Sequence, residues 1–376
     1  MSPQSQVVAI LFSATLAAQT PLRTGGVVDP VEVPGQPGQT YALYIPSGYT
    51  PERAWPMLYC LDPGARGRIP VERFAAAAEK ADILVAGSNN SRNGPLRSSQ
   101  DAIHLMVVDT HARLHIDDSR IYAAGFSGGA RLALGWAEAG HLAGVMASSA
   151  GFLNSTVPKQ VPFRVFFTTG YDDFNHDEIY RASRELAGRG IPHRYAEFEG
   201  GHEWLPESLT AEALAYLAGA IPPRPAEPSK RAGRDADSFQ RRVRETESAG
   251  EAARPDLVRL LQKDASAAAD SPERRVARRV TGSLSSGSAE QASEALSHHQ
   301  YSDAARYAGI AALVRPDDAS AWFTLAVARA ALGDTRHSLE ALEQALAHGF
   351  RARDGIESEP LLDKVRRQKK YAELMK

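Results

Sequence analysis

Between Thr40 and Ala220 the chain repeats one alternation, in which short runs rich in β-branched and aromatic residues are followed by longer runs of helical character. The strand-like runs are TYALYIP, PMLYCLD, ILVAGSN, RIYAAGF, GVMASSA, FRVFFTTG and HRYAEFEG. The helix-like runs are VERFAAAAEKA, QDAIHLMVVDTHARLH, ARLALGWAEAG, HDEIYRASRELAGRG and LTAEALAYLAGA. Strands separated by helices pair in parallel, and the helices then cover both faces of the sheet. The expectation is an α/β fold with a doubly wound, mostly parallel sheet. Several strand-like runs end in Gly, Pro, Asp or Asn, so the carboxyl edge of the sheet is where a ligand site is expected.

The alternation stops after Ala220, where IPPRPAEPSKRAGRDADS is too rich in proline and charge to form a core. Beyond it the sequence is rich in Ala, Arg and Glu and has no strand signals, which predicts a small all-α domain. At 376 residues the chain is long enough for one large core and a smaller companion. The expected organisation is 1–20 a signal peptide, 21–222 the α/β unit, 223–250 a linker and 251–376 the helical domain. The signal peptide rests on the apolar run Val7 to Thr20, too short to span a bilayer. It places the protein in the periplasm or outside the cell; if the run is instead a first strand or a tail, the protein is cytoplasmic. With 43 basic and 45 acidic residues the net charge is −2, which gives no pull toward nucleic acid or an anionic membrane surface. The single cysteine, Cys60, excludes an internal disulfide framework.

Within the alternation, Gly125-Phe126-Ser127-Gly128-Gly129 places a serine between a strand-like and a helix-like run. A GxSxG turn in that setting is a nucleophile elbow: the serine takes a strained backbone conformation, and the flanking glycines remove Cβ atoms that would clash. Ser127 then sits at a helix start, where the Gly128 amide and the positive helix end face a developing oxyanion. Such a serine needs a histidine to take its proton and a carboxylate to orient that histidine, and the order expected along this fold is serine, acid, histidine. FRVFFTTG leads into YDDFNHDE, which offers Asp173, with Asp172 beside it as the rival acid. HRYAEFEG leads into GGHEW, which offers His202. The separations, about 46 and about 29 residues, suit one crossover each and leave no room for a large lid, so an open site tolerant of bulky or polymeric acyl groups is expected. The amide-rich loop GSNNSRNGP offers Asn89, Asn90 and Arg92 as substrate contacts, and Phe126 and Trp204 are candidates to line an acyl pocket. No metal or organic cofactor is expected. His111 and His115 have helical ligand spacing but lack a third ligand, and the acidic cluster around Asp177 does not follow a calcium-loop pattern.

On these motifs, residues of about 25 to 220 resemble α/β-hydrolase-fold serine esterases, near the polyhydroxyalkanoate depolymerases, feruloyl esterases and dienelactone hydrolases. The resemblance implies a carboxylic ester hydrolase with Ser127 as nucleophile, His202 as base and Asp173 as acid. It also implies a second oxyanion donor from the loop after the PMLYCLD strand. That loop reads LDPGARG, where Pro63 has no amide hydrogen, so the donor is expected at Ala65, with Gly64 as the alternative. Asp62 would oppose an oxyanion there unless Arg66 or Arg68 compensates.

The helical tail resembles tetratricopeptide repeats, with a period of about 34 residues. Trp322, Leu325, Gly333, Leu342 and Ala345 fall at that family's packing and turn positions in the later unit, and Ala304, Ala311 and Pro316 in the earlier one. Arg329 and Phe350 depart from its pattern. The resemblance implies a protein partner bound by the tail. Two other functions fit the sequence: a serine peptidase of the prolyl-oligopeptidase kind, and a non-catalytic interaction protein working through the tail. Activity lost in Ser127→Ala but kept on removal of residues after about 225 would separate the enzyme from the interaction protein.

Overall fold

The computed structural model describes residues 23–140, 142–227, 236–250 and 252–375. The expected signal peptide lies outside the described residues. Strands β1 (Gly26–Glu32), β2 (Thr40–Ile45) and β3 (Trp55–Leu61) precede helix α1 (Arg68–Ala81). Then β4 (Leu84–Ser88), α2 (Leu96–Arg113), β5 (Ile116–Phe126), α3 (Gly128–Glu138), β6 (Gly144–Ser148), β7 (Arg164–Gly170), α4 (His176–Gly188), β8 (His193–Phe198) and α5 (Glu207–Leu217) alternate along the chain. The strands form one 8-stranded sheet in the order β1-β2-β4-β3-β5-β6-β7-β8. From β4 onward every pairing is parallel, and β1 and β2 are antiparallel additions at one edge. This is the mostly parallel, helix-flanked sheet of the α/β-hydrolase type.

The period of two along each strand explains the two-sided burial. Met57, Tyr59 and Leu61 of β3, with Val165 and Phe167 of β7, point to one face and meet Ile103 and Met106 of α2, Leu134 of α3 and Ile179 of α4. Leu58, Cys60 and Phe166 point to the other, against Val71 and Phe74 of α1 and Leu214 and Leu217 of α5. Strand β1 lay outside the expected runs. It contains Pro30, its register shifts between Val28 and Val31, and most of it is only partly buried, so its sequence shows no clean alternation.

Downstream lie α6 (Ala236–Ser248), α7 (Arg254–Ala265), α8 (Pro272–Ser297), α9 (Tyr301–Val314), α10 (Ala319–Ala331) and α11 (Thr335–Ala347), followed by short helical turns between Arg353 and Leu374. Their starts carry local signals: Ser271 accepts a hydrogen bond from the Arg274 amide ahead of Pro272, and Asp318 and Asp334 cap α10 and α11. The expected linker at 223–250 is only partly irregular, because α6 occupies Ala236–Ser248 and buries Phe239 beside Val258 and Val276. Among the described residues no helix is long and apolar enough to cross a membrane.

Candidate active site

Strand β5 ends at Phe126 and α3 begins at Gly128, so Ser127 is the whole turn between them. It holds φ +53° and ψ −123°, a left-handed conformation that strains any residue with a Cβ. The surrounding glycines are required by space. A Cβ on Gly125 would lie 2.2 Å from the Gly129 carbonyl oxygen, and one on Gly129 would lie 2.0 Å from that of Leu61. The Ser127 amide donates to the Ser148 carbonyl at 2.9 Å, which ties the turn to β6.

His202 lies in the loop between β8 and α5, with its Nε2 2.8 Å from Ser127 Oγ and its Nδ1 2.9 Å from Asp173 Oδ1. An ionised carboxylate only accepts hydrogen bonds, so Nδ1 carries the ring proton and Nε2 accepts from the serine hydroxyl. Asp173 is fully buried, just past β7, and its Oδ1 also accepts from the Asn175 amide at 2.9 Å. The structure therefore brings Ser127, Asp173 and His202 together. Asp172, the rival acid, turns the other way, toward Arg275 and Arg278 of α8. The His202 loop is held from below: Leu205 donates its amide to Ser148 Oγ at 2.9 Å, and Ser149 Oγ donates to the Glu203 carbonyl at 2.8 Å.

No protein-family model and no curated protein matches the chain. Among solved structures it is similar to a ferulic acid esterase at 15% identity, covering 48% of this chain and 92% of that one with a TM-score of 0.41. It is similar to FphF, a fluorophosphonate-binding serine hydrolase of Staphylococcus aureus, at 12% identity with 48% and 92% covered and a TM-score of 0.39. Esterase LipW from Mycobacterium marinum is similar at 20% identity, with 52% and 82% covered and a TM-score of 0.40.

The loop after β3 departs from expectation. Ala65, expected as an oxyanion donor, has φ +58° and closes its amide onto the Asp62 carbonyl at 3.1 Å. The Gly64 amide is taken by Asp62 Oδ1 at 2.8 Å. The Arg66 amide is the next in the chain, and it has no hydrogen-bond partner among the described residues. Asp62 itself is buried but compensated. Arg66 grips both its oxygens, at 2.8 and 3.1 Å, and Trp204 Nε1 donates to Oδ2 at 2.8 Å. Arg68 instead pairs with Glu72.

Trp204 is thus an anchor for the loop after β3 rather than the wall of an acyl pocket. It and Phe126 are both buried, with the Phe126 ring 4.9 Å from His202 and 5.8 Å from Trp204. Asn89 and Asn90 are likewise spent on the fold. Asn89 accepts from the Gly67 amide and donates to Asp29, while Asn90 accepts from the Thr40 amide and donates to the Gly38 carbonyl. Arg92 is exposed, and its guanidinium has no partner among the described residues.

Two side chains at the site went unread in the sequence. Asn93 stands so close to Gly128 that a Cβ there would lie 1.8 Å from its Oδ1. Phe174 stacks on His202, with ring centroids 4.0 Å apart at 27°. Both lie beside residues singled out from the sequence, and adjacency was the available signal.

Proposed function

We propose that this chain is a serine hydrolase that cleaves carboxylic esters through an acyl-enzyme. The observation that carries the reading is the relay from Ser127 Oγ to His202 Nε2 at 2.8 Å and from His202 Nδ1 to Asp173 Oδ1 at 2.9 Å, built on a strained strand-to-helix turn. Ser127 Oγ attacks the ester carbonyl while its proton passes to His202 Nε2, and Asp173 stabilises the imidazolium that forms. The tetrahedral oxyanion is met by the Gly128 amide at the positive end of α3. Collapse expels the alcohol, which leaves with the proton from His202. Water then attacks the acyl-enzyme with His202 again acting as base, and the acid is released with Ser127 restored.

Leu96 and Leu153, both 55% exposed, stand in segments that follow β4 and β6 on this edge of the sheet, which suits a bulky apolar acyl or aryl group. Arg92 is the remaining substrate contact from the amide-rich loop. The run Val7 to Thr20 supports export of the protein.

Hydrolysis of a short-to-long series of p-nitrophenyl esters tests the reading, with a fluorophosphonate probe to report the nucleophile. Turnover and labelling in the wild type, both abolished in Ser127→Ala, are expected. A folded wild type that neither turns over nor labels would overturn the reading.

A further inference from the structure

Arg275, Arg278 and Arg279 fall at i, i+3 and i+4 of α8, a spacing that places them on one helix face, and that face lies against the loop carrying Asp173. The residues on either side of the acid are the ones held. Asp172 Oδ2 accepts from Arg278 Nη1 at 2.7 Å and Asp172 Oδ1 from Arg275 Nη1 at 3.3 Å. Arg275 is 2% exposed, lies over the Tyr171 ring at 4.7 Å, and also pairs with Glu199 and with Asp270. After the acid, Phe174 stacks on His202 and also meets α8. There α8 carries Gly282, where a Cβ would lie 3.1 Å from Phe174 Cδ1.

We propose that α8 is a positioning element of the hydrolase site, holding Asp173 and His202 in register through its grip on Asp172 and its backing of Phe174. This rests on the serine hydrolase reading above. On the sheet side the turn after Gly170 is held by the amides of Tyr171 and Asp172 on the Phe198 and Gly200 carbonyls and by Thr169 Oγ1, 3.3 Å from Asp173 Oδ2, and α8 holds the same turn from outside. A displacement of about 1 Å in a catalytic constellation costs orders of magnitude in rate, so a support acting at both neighbours of the acid is kinetically visible. The helical region thereby belongs to the active site. Its removal beyond residue 225 or so takes support from the triad, and activity lost on such a cut does not locate the chemistry in the tail.

The test uses the full chain, p-nitrophenyl butyrate and the fluorophosphonate probe, with thermal unfolding of every variant. Asp172→Ala, which removes the carboxylate that Arg275 and Arg278 share, is expected to lower kcat by about tenfold or more with KM within about twofold. Arg278→Ala, at a side chain 41% exposed, lowers it less, and the double variant loses no more than Asp172→Ala alone because both act through one contact. Arg278→Lys restores most of the loss. Gly282→Val reaches the site independently, by pressing on Phe174, and slows both turnover and labelling. Wild-type kcat in all of these variants, with only the unfolding temperature reduced, would overturn the positioning role and leave the hydrolase reading standing. A wild type without turnover or label would bring down both together.

Discussion

Ser127 and its neighbours show how the proposed nucleophile is held where ordinary packing would not put it. At φ +53° the serine carries strain of order 1–3 kcal/mol, and it stays there because Gly125 and Gly129 let β3, β5 and α3 approach more closely than any side chain would permit. Ser127→Ala and Ser127→Gly both remove the serine hydroxyl, but only the second relieves the backbone. Ser127→Gly is therefore expected to be the more stable of the two by up to about 1 kcal/mol, after the entropy that glycine loses on folding. Urea denaturation reads the difference, and an equal or lower midpoint for the glycine variant would show that the turn stores no strain. This part of the site was legible because a nucleophile elbow is a local pattern, with strand, glycines, serine and helix in one stretch. The loop at Asp62 was not. Which amide of LDPGARG stays free depends on a turn closed by the Ala65 amide, and on an indole from Trp204 that lies 142 residues away in sequence from the carboxylate it meets. The amides of Asn89 and Asn90 were misleading for the same reason, since their partners at Asp29, Gly38 and Thr40 come from another part of the chain.

At the scale of elements, the seven expected strands formed because each carries a run long enough to bury both faces, whereas β1 gave little sign of itself. Helix α6 was hidden in a charged stretch, where only Phe239 and Val243 mark an apolar side and α7 and α8 supply what they pack against. The arginine face of α8 was equally silent, because the acids that it meets belong to the loop after β7 and to α4. Next to that face lies a buried charged cluster. His176 Nε2 contacts Glu197 at 2.9 Å and its Nδ1 lies 3.4 Å from Asp177, with Tyr195 donating to Glu197 and Arg279 3.9 Å from Asp177. Burial alone would lower the pKa of His176, but Asp177 and Glu197 outweigh it and hold the imidazole above its ordinary 6.5. Burial would likewise raise the two carboxylates, but His176 in both cases, with Arg279 beside Asp177, holds them below their ordinary 3.8 and 4.5. The contribution of the histidine is therefore complete below pH 6.5 and fades as the pH rises through its elevated folded value, while that of the carboxylates fades only in acid below 4.5. Stability from this cluster is greatest between those limits. Unfolding temperatures measured from pH 5 to about pH 8.5 should fall more steeply on the alkaline side for the wild type than for His176→Gln. Parallel curves would show that the imidazole is neutral throughout.

For the whole molecule, the contact between sheet and helices is made in large part by buried charge, while the apolar clusters on the two sides are separate. Arg275 and Arg279 have side chains 2% and 1% exposed, facing Asp172, Glu199 and Asp177 across the junction. A contact of this type is energetically asymmetric. Kept whole, it adds little beyond what apolar packing would give, and removal of one partner costs about 3–5 kcal/mol where it strands the other charge, less here because Arg278 stays on Asp172 and His176 beside Asp177. Neither apolar cluster loses a member when these arginines are truncated, so the damage falls at the junction, as lost charge pairing and lost packing of two buried side chains. With the contact intact, unfolding of the helical region would leave Asp172 without Arg275 and Arg278 and Asp177 with His176 but without Arg279, and the sheet is then destabilised at the same temperature. A single calorimetric transition is expected for the full chain. The double variant Arg275→Ala/Arg279→Ala should divide it in two, with one component near the original temperature and the other lower by about 5 °C, in line with the loss of 1–2 kcal/mol or roughly that. Two transitions already present in the wild type would show that the charges at the junction do not couple the parts. One transition that moves downward undivided in the variant would show that the apolar packing around Gly282 and Phe174 is enough to keep them together.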